Sequence, residues 1–313
     1  MSAAAFDPLQ HLKEIVDAGK ARVCSLPSRI WLFGGPFASN NEDPPTSVRE
    51  SFYRAALNGN YPWLRDLARP EDFPDWIHFS GYKDLLLFER DAGFLSRAIV
   101  LFSESPGAIA ELGAFALDEQ LHKRIFVVIA QKFREDPHRR SFLNLGPIRR
   151  IERAARASGQ VRKSICVIET DTPDRITQST IDVIFRQLDQ WLKVTPKSEY
   201  FKKDNPTHAL LLMADLVDLH YVLSEDQLGY ALTHFGVEDD QPKLQRLVNL
   251  LDLMGLVKVK ERGSDRFLLS RLPAPLLEYD AVTGRRFERL SFKTKIWDSV
   301  QRNPDLAPLM TTS

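Results

Sequence analysis

Two carboxylates and a turn of small residues follow a predicted buried strand in the first half of the chain. The apolar run at residues 97–102 leads into Glu104, Ser105 and Gly107, and the helix predicted next carries Glu111. Ligands of open α/β sheets bind at the carboxyl ends of strands, where helix N-termini also present free N–H donors. A carboxylate placed there can attack an anomeric carbon, or stabilise the oxocarbenium ion that forms when a C–N glycosidic bond breaks. Glu111 is therefore a candidate catalytic group, with a solvated helix glutamate as the alternative; we interpret Glu104 as a solvated loop carboxylate, with a proton donor as the alternative.

Four small residues could line a ligand pocket at this edge of the sheet. Ser105 and Gly107 form the turn before the helix, and glycine lets a ligand approach the backbone closely. Gly34 and Gly35 follow the first predicted strand, where paired glycines admit a phosphate or a sugar; a tight turn is the alternative. The pair matches neither GxGxxG nor a Walker loop, so no standard nucleotide motif is present there.

The elements that position these residues alternate between short apolar runs and amphipathic stretches. The predicted strands are residues 29–33, 76–79, 97–102, 124–130 and 164–168. The predicted helices are residues 9–21, 47–58, 84–95, 107–120, 147–157 and 177–192. This alternation is typical of βαβ units and predicts an α/β fold with a Rossmann- or flavodoxin-like parallel sheet of about five strands. Residues 40–46 and 62–75 are predicted to be surface loops.

A different pattern begins after a polar, proline-flanked stretch at residues 196–206. Three helices are predicted at residues 208–222, 224–232 and 242–254, and Ser224 with Gln227 has the spacing of a capping box. Alternating residues around a turn at 262–265 then predict a hairpin. Three helices and a hairpin are the plan of a small winged helix-turn-helix domain. The predicted domains are therefore residues 1–195, a linker at 196–206, and residues 207–313.

Charge limits what this second domain can bind. Seven side chains on its third helix and its wing could contact phosphates: Lys243, Arg246, Asn249, Lys258, Lys260, Arg262 and Arg266. However, residues 206–313 carry 13 basic and 15 acidic residues, whereas autonomous DNA-binding domains are usually basic. The whole chain has no formal net charge, which excludes a protein that coats nucleic acid through charge alone. A domain that docks on protein, with limited nucleic-acid contact, fits this charge better than a sequence-specific repressor.

Composition excludes several other classes. The two cysteines and seven histidines show no metal-ligand spacing, so no metal site is expected. His78 is interpreted as a core or edge histidine of a strand. No basic stretch precedes an apolar run at the N-terminus, and no run reaches the roughly 18 apolar residues of a membrane helix, so a cytoplasmic protein without membrane contact is expected.

Several stretches together resemble a known family. The run FSESPGAIAELGAF at residues 102–115, the FGGP at 33–36 and the FERDA at 88–92 resemble the nucleoside deoxyribosyltransferase-like fold. Taken with SFLNLGPIR at 141–149, the sequence is more narrowly similar to the effector proteins of type II retrons. Those effectors pair such a domain with a C-terminal winged helix, and the resemblance extends over nearly the whole chain in order and layout.

The resemblance implies roles for individual residues. In the deoxyribosyltransferases the glutamate of an Asp-x-Gly-Thr-x-x-Glu pattern is the nucleophile, and Glu111 and Gly107 match that glutamate and glycine. Ser105 replaces the aspartate and Ala108 the threonine, which puts base transfer to deoxyribose in doubt but keeps the C–N-cleaving carboxylate. Asp91 becomes a candidate ligand of ribose hydroxyls, with an exposed helix aspartate as the alternative.

The resemblance also implies a function. It predicts an anti-phage toxin that hydrolyses the C–N glycosidic bond of NAD or a related nucleotide, which would be its substrate; no cofactor is expected. The implied partners are the retron reverse transcriptase and its multicopy single-stranded DNA–RNA, which restrain the toxin, with assembly into larger particles. The alternatives are a DNA-binding regulator whose α/β domain senses a nucleotide without cleaving it, and a nucleosidase or deoxyribosyltransferase of nucleotide salvage.

One basic cluster has no role in this scheme. Arg149, Arg153 and Arg156 share a helix face by their spacing. The cluster is either a solvated face or a docking surface for retron nucleic acid or substrate phosphates. Its members are Arg134, Arg139, Arg140, Arg149, Arg150, Arg153, Arg156, Arg162 and Lys163.

Overall fold

The chain divides into two compact units. A computed structural model describes residues 6–40, 42–59, 61–73, 81–157, 163–194, 198–238 and 240–311. One unit comprises Pro27–Ile77 and Asp84–Thr195, and the other comprises Met1–Leu26, His78–Lys83 and Pro196–Ser313. We call them the parallel-sheet unit and the C-terminal unit. Within the described ranges, no helix is both long and apolar enough to cross a bilayer.

The first helix is shorter than the sequence predicts. Helix α1 (Pro8–Ile15) begins at Asp7, whose carboxylate accepts hydrogen bonds from the backbone N–H groups of Leu9 and Gln10. Strand β1 (Val16–Val23) follows at once, so the helix predicted over residues 9–21 is wrong beyond Ile15. Pairing of β1 with strands from the end of the chain decides its conformation, as tertiary context commonly overrides local propensity.

Five strands form the predicted parallel sheet. They are β2 (Ile30–Phe33), β3 (Leu67–Ala68), β4 (Ala98–Phe102), β5 (Ile125–Ala130) and β6 (Ile165–Ile168), in the order β3-β2-β4-β5-β6. Every residue of β2, β4 and β5 is buried, which explains their continuous apolar sequence. The strand predicted at 76–79, with His78, lies outside the described residues. The short edge strand β3 lies instead within a stretch predicted to be a loop.

Helices cover both faces of this sheet. They are α2 (Val48–Leu57), α3 (Leu85–Phe94), α4 (Pro106–Leu117), α5 (Arg149–Ala157) and α6 (Gln178–Lys193), which confirms the five predicted between the strands, with small shifts at their ends. Helices α2 and α6 pack together, and they bury a cluster that includes Phe52 and Phe185 against the sheet. Helix α3 packs on α4. Right-handed crossovers place α3, α4 and α5 on the opposite face from α2.

The strand order creates a switch point between β2 and β4. The chain leaves β2 through α2 towards β3 on one side, then returns through α3 to β4 on the other side. The two loops at the carboxyl ends of β2 and β4 therefore diverge, and such a crevice is where open α/β sheets bind ligands. Gly34 and Gly35 follow β2, and Glu104 and Ser105 follow β4, so the two predicted motifs meet at this place.

The C-terminal unit contains the predicted helices and hairpin among further elements. Its elements after residue 198 are β7 (Glu199–Tyr200), α7 (Pro206–His220), β8 (Val222–Ser224), α8 (Glu225–His234), α9 (Gln241–Leu253), β9 (Val257–Arg262), β10 (Asp265–Ser270), β11 (Leu277–Ala281), α10 (Arg289–Arg302) and α11 (Ala307–Thr311). Ser224 and Gln227 form the predicted capping box at the start of α8. Strands β9 and β10 pair as the predicted hairpin, and β8 extends it to three strands in the order β8-β10-β9. Strands β8 and β11 and helices α10 and α11 were not predicted from the sequence.

The division of the chain differs from the predicted domain bounds at the N-terminus. Strand β1 pairs antiparallel with both β11 and β7, so that Val16 faces Ala281 and Val23 faces both Leu277 and Glu199. These ladders tie the first 26 residues to the C-terminal unit, although the prediction assigned them to the N-terminal domain. They also place β7 inside the stretch predicted to be a linker. The bounds of independently folding domains stay a prediction.

Candidate active site

Glu104 joins the two loops at the switch point. Its Oε1 accepts hydrogen bonds from the backbone N–H groups of Gly35 and Arg49, both at 3.0 Å, and its Oε2 accepts one from Val48 at 2.6 Å. Burial raises the pKa of Glu104, and these three hydrogen bonds oppose that effect. The interpretation of Glu104 as a solvated loop carboxylate is wrong, because the first turn of α2 lies against the end of β4 and supplies donors to it. Glu104 is a positioning residue.

The two glycines after β2 are explained by the same close approach. A Cβ atom at Gly34 would lie 2.9 Å from the Cβ atoms of Arg49 and Phe102. A Cβ atom at Gly35 would lie 2.7 Å from the Cβ of Ser47. Both glycines are thus required by packing of the chain on itself, and their contact with a ligand stays a prediction.

Ser105 and Gly107 form the N-terminus of α4. Ser105 caps the helix, and its hydroxyl accepts a hydrogen bond from the N–H of Ala108 at 3.2 Å. Gly107 is exposed, and apart from its chain neighbours and the backbone of its own helix no described atom lies within 4 Å of the place where its Cβ would be. The open space beside Gly107 would admit a ligand to the backbone of this turn. Neither residue's role in binding is tested, and both stay predictions.

Glu111 lies in the second turn of α4 with one carboxylate oxygen enclosed. Its Oε2 is buried and has no hydrogen-bond partner among the described residues. Burial raises the pKa of Glu111 to about 7; the positive charge of Arg49 opposes the rise and the negative charge of Glu71 adds to it. The alternative of a solvated helix glutamate does not fit this environment. A carboxylate without a partner at neutral pH is suited to stabilise positive charge on a ligand.

A second carboxylate, which the sequence analysis missed, accompanies Glu111. Glu89 on α3 is only 4% exposed, and its Oε1 is buried without a partner among the described residues. Burial raises the pKa of Glu89 to about 8, and the negative charges of Glu111 and Glu71 contribute to the rise. The influence of Glu111 on this pKa makes the two carboxylates an interacting pair. The sequence held one indication of this burial. Glu89 lies three residues before Ala92, and this spacing places both residues on the buried face of the helix.

Arg49 is the buried cation of the site, and the sequence analysis missed it as well. Its guanidinium forms two hydrogen bonds with the carboxylate of Glu71, at 2.9 and 2.7 Å, and a third at 3.2 Å with the carbonyl of Gly35. Its side chain is 4% exposed, and its Nε has no partner among the described residues. Burial raises the pKa of Glu71, but the ion pair with Arg49 outweighs it and leaves that pKa below its usual value.

Asp91 is buried, so the alternative of an exposed helix aspartate is wrong. It is 4% exposed and lies two residues after Glu89 on α3. Residues two apart on a helix do not share a face, so Asp91 and Glu89 point in different directions. Its role as a ligand of ribose stays a prediction.

A groove beside this site has a different lining. It encloses about 300 Å³ between α3 and α4, and its lining residues are Asp84, Leu86, Leu87, Arg90, Ala114, Phe115 and Leu121. Neither Glu89 nor Glu111 is among them. We therefore place the candidate chemistry at the buried carboxylates rather than in this mostly apolar groove.

Four of the seven predicted nucleic-acid contacts, Asn249, Lys260, Arg262 and Arg266, make polar contacts within the C-terminal unit. Arg266 forms an ion pair with Glu225 at 2.5 Å and donates to the side-chain oxygen of Asn249. Lys260 donates to the carbonyl of Leu309 at 2.7 Å, and Arg262 lies 3.3 Å from a carboxylate oxygen of Asp305. The chain that follows α10 thus contacts two cations of the β9–β10 hairpin.

The polar side of α9 is also contacted by its own chain. The guanidinium of Arg246 lies 5.5 Å from the ring centroid of Tyr82, and a Cβ at Gly81 would lie 3.3 Å from Nδ2 of Asn249. Lys243 and Lys258 are exposed. Contact of these seven side chains with nucleic acid stays a prediction.

Fold and site define an α/β protein with a pair of buried carboxylates beside the switch point of a parallel sheet. The chain belongs to the STM3845 retron effector protein family, whose model matches residues 45–259. This confirms the predicted retron effector family.

Two curated proteins of Escherichia coli are similar to part of the chain. One is the "Retron Ec86 putative ribosyltransferase/DNA-binding protein", 31% identical over 141 residues, or 45% of this chain and 43% of that protein. The other is the "Retron Ec73 putative ribosyltransferase/DNA-binding protein", 34% identical over 122 residues, or 38% of this chain and 37% of that protein. The matched region thus spans less than half the length of either relative.

Proposed function

We propose that this retron effector is an N-glycosidase whose parallel-sheet unit cleaves the C–N glycosidic bond of NAD or a related nucleotide. Cleavage would deplete a nucleotide pool and act as the toxin of the defence system. The family membership supports the retron role, and the ribosyltransferase named in both relatives is an activity of the same bond type. The observation that carries the proposal is that Glu89 and Glu111 each have a buried carboxylate oxygen without a hydrogen-bond partner among the described residues.

The different surroundings of Glu89 and Glu111 suit two different roles. The positive charge of Arg49 lowers the pKa of Glu111 and so favours its ionised form, whereas burial and the neighbouring carboxylates all raise the pKa of Glu89 and favour its protonated form. Two carboxyl groups whose environments separate their pKa values are the usual arrangement of a glycosidase, in which one supplies negative charge and the other a proton. We assign the negative charge to Glu111, as nucleophile or oxocarbenium stabiliser, and the proton to Glu89.

The reaction balances with these two groups and water. The electron pair of the C–N bond leaves with the base while Glu111 compensates the positive charge at C1′, and water then adds at C1′ and loses a proton. A nicotinamide leaves NAD as a neutral group without prior protonation, whereas a purine gains from a proton donated by Glu89. The positive charge of Arg49 favours the ionised form of Glu111. The carboxylate of Glu71 fixes the guanidinium of Arg49 through two hydrogen bonds.

Mass spectrometry of products tests the proposal. The full chain, Glu111→Gln and the control Glu119→Gln, a glutamate that follows α4, would be incubated with NAD, nucleosides and deoxynucleotides. We expect free nicotinamide or base from the wild type and Glu119→Gln, and none from Glu111→Gln. Full activity of Glu111→Gln on every substrate that the wild type cleaves would contradict the assignment. A ligand that binds without turnover, in the free chain and in the assembled retron complex, would favour a nucleotide-sensing regulator.

We further propose that α7, α8, α9 and the β9–β10 hairpin act as a winged helix that docks on protein. The proposed partner is the retron reverse transcriptase, with its DNA–RNA product restraining the toxin. The largely buried ion pair of Arg266 with Glu225 supports a docking role, because a phosphate would have to displace the carboxylate to bind this cation. Co-purification of the chain with reverse transcriptase, in the presence and in the absence of the DNA–RNA product, tests this partnership. If the chain co-purifies with reverse transcriptase in neither case, the partnership is contradicted.

A further inference from the structure

The segment at residues 141–149 presents an exposed aromatic ring that the proposed glycosidase does not use. Phe142 is 84% exposed and Leu145 is 54% exposed, although apolar side chains of this size are usually covered. The ring of Phe142 lies over Gly146, where an added Cβ would be 3.4 Å from its Cζ. The glycine thus makes room for the ring beside the start of α5, in a π-helical turn at Asn144–Ile148.

A buried asparagine holds this segment in place. Asn144 is 7% exposed; its Oδ1 accepts from Arg134 at 2.6 Å, and its Nδ2 donates to the carbonyl oxygens of Phe133 and His138. Arg134 also pairs with Glu152 on α5 at 2.8 Å. These contacts connect the loop, the π-helical turn and α5, so the exposed ring is held on a defined support.

Arginines flank the ring along the chain. Six of them lie in the turn before it and on α5, namely Arg139, Arg140, Arg149, Arg150, Arg153 and Arg156. Arg150 donates to the carbonyl of Leu117 at 3.4 Å; the guanidinium groups of the other five make no hydrogen bond or ion pair with described residues. The exposed carboxylates of the same loop are Glu135 and Asp136, so positive charge predominates. Arg162 of the predicted cluster lies outside the described residues.

We propose that this surface, formed by Phe142 and the six arginines, binds single-stranded DNA. Unpaired bases stack on exposed aromatic rings, and neighbouring arginines bind the phosphates that connect them. Duplex DNA cannot offer the face of a base in this way, so a single strand fits the ring better. We choose DNA because the names of both relatives include DNA binding. The inference deepens the proposed partnership with retron nucleic acid, and it requires no step of the glycosidase.

The surface contrasts with the one that the sequence analysis assigned to nucleic acid. Arg262 and Arg266 in the C-terminal unit are paired with carboxylates of that unit. The guanidinium groups of Arg149, Arg153 and Arg156 have no such partners among the described residues. Cations without such partners, on the helix that begins where the aromatic segment ends, are better placed to bind DNA than Arg266, whose ion pair is largely buried.

Fluorescence anisotropy with a labelled 15-nucleotide single strand tests the proposal on the full chain. Stacking predicts that Phe142→Ala weakens binding by about 5- to 150-fold, whereas Phe142→Trp retains it. Replacing Arg149, Arg153 and Arg156 by glutamine should lower the slope of log affinity against log salt by about 2, since each phosphate contact to a single strand contributes about 0.7. Arg186→Gln on α6, on the opposite face of the sheet, is the matched control.

The outcomes separate this surface from the glycosidase. Because Phe142 is exposed, its variants should melt at the wild-type temperature, and Glu111→Gln should bind the oligonucleotide as the wild type does. Equal affinity of Phe142→Ala and wild type would overturn the stacking role. Absence of binding by the wild type, or equal binding of the duplex or of RNA with the same sequence, would overturn the assignment to single-stranded DNA.

Discussion

Two parts of the switch-point crevice contain buried carboxylates that differ in their hydrogen bonding. In the turn after β4, Glu104 accepts three backbone hydrogen bonds. Between α3 and α4, Glu89 and Glu111 each keep a buried oxygen without a partner among the described residues. Burial raises the pKa of all three, but only Glu89 and Glu111 reach values of about 8 and about 7. Burial alone therefore does not distinguish these three carboxylates, whereas the presence or absence of hydrogen-bond partners does.

The largest effect expected beyond Glu111 itself comes from Glu89. Glu89→Gln removes the proposed proton donor, so cleavage of a purine nucleoside or nucleotide should fall by about 10²–10⁴-fold, the usual contribution of a general acid. Cleavage of NAD should fall much less, because nicotinamide leaves as a neutral group. Measuring both rates with the same protein separates the two substrate classes, and equal losses would contradict the proton-donor role.

Arg49 should set the pH at which Glu111 ionises. Its positive charge opposes the rise in the pKa of Glu111, so Arg49→Gln should move the acidic limb of the pH–rate profile to higher pH. When the midpoint of that limb moves up by one pH unit, the rate at a fixed pH on the limb falls by about tenfold. The profile is measured from pH 5 to 9, with Arg186→Gln as the control. An unchanged midpoint would show that Arg49 does not act on the ionisation of Glu111.

Glu104 should matter for stability. Glu104→Ala leaves three backbone N–H groups without their acceptor, and each buried donor left in this way costs about 1–3 kcal/mol. We expect a clearly lower Tm in thermal unfolding followed by circular dichroism. A Tm equal to that of the wild type would contradict the positioning role.

The smallest effect expected is the pH dependence of stability. Because the pKa values of Glu89 and Glu111 are raised, the folded state holds their protons more tightly than the unfolded state does. The stability that these two protonated groups contribute is fully present below their unfolded pKa of about 4.5 and is lost as pH rises through about 7 and about 8. Glu89→Gln should reduce this loss, giving a higher Tm than the wild type at pH 8.5 and a similar one at pH 4.5. If the Tm of Glu89→Gln and the Tm of the wild type changed with pH in the same way, the burial of an ionisable Glu89 would be contradicted.

Local patterns predicted most of the elements that form the crevice. Continuous apolar runs identified β2, β4 and β5, because a strand buried on both faces has few polar positions. The edge strand β6 was identified from its apolar run as well, although Val167 in it is exposed. Capping chemistry identified the start of α8. Strand β1 was predicted as helix, since its conformation depends on pairing with residues about 180 to 260 positions away.

The candidate site was predicted only in part, because its residues come from elements that are distant in the sequence. Glu111 follows a recognisable strand, turn and helix, whereas Glu89 and Arg49 come from helices that the sequence connects to other strands. Only the strand order brings α2, α3 and α4 to one crevice. The environment of Glu104 was predicted wrongly because two of its donors belong to α2, 55 or more residues earlier.

The central claim is that Glu111 acts in chemistry while Glu104 maintains structure. One paired measurement tests it most directly: the rate of base or nicotinamide release together with Tm, for Glu111→Gln and Glu104→Gln at pH 7. We predict that Glu111→Gln loses at least about 10³-fold in rate, as removal of a nucleophile does, while its Tm stays at or above that of the wild type. Glu104→Gln should lower Tm and keep measurable activity below its melting temperature. A folded Glu111→Gln protein that cleaves at the wild-type rate would contradict the account.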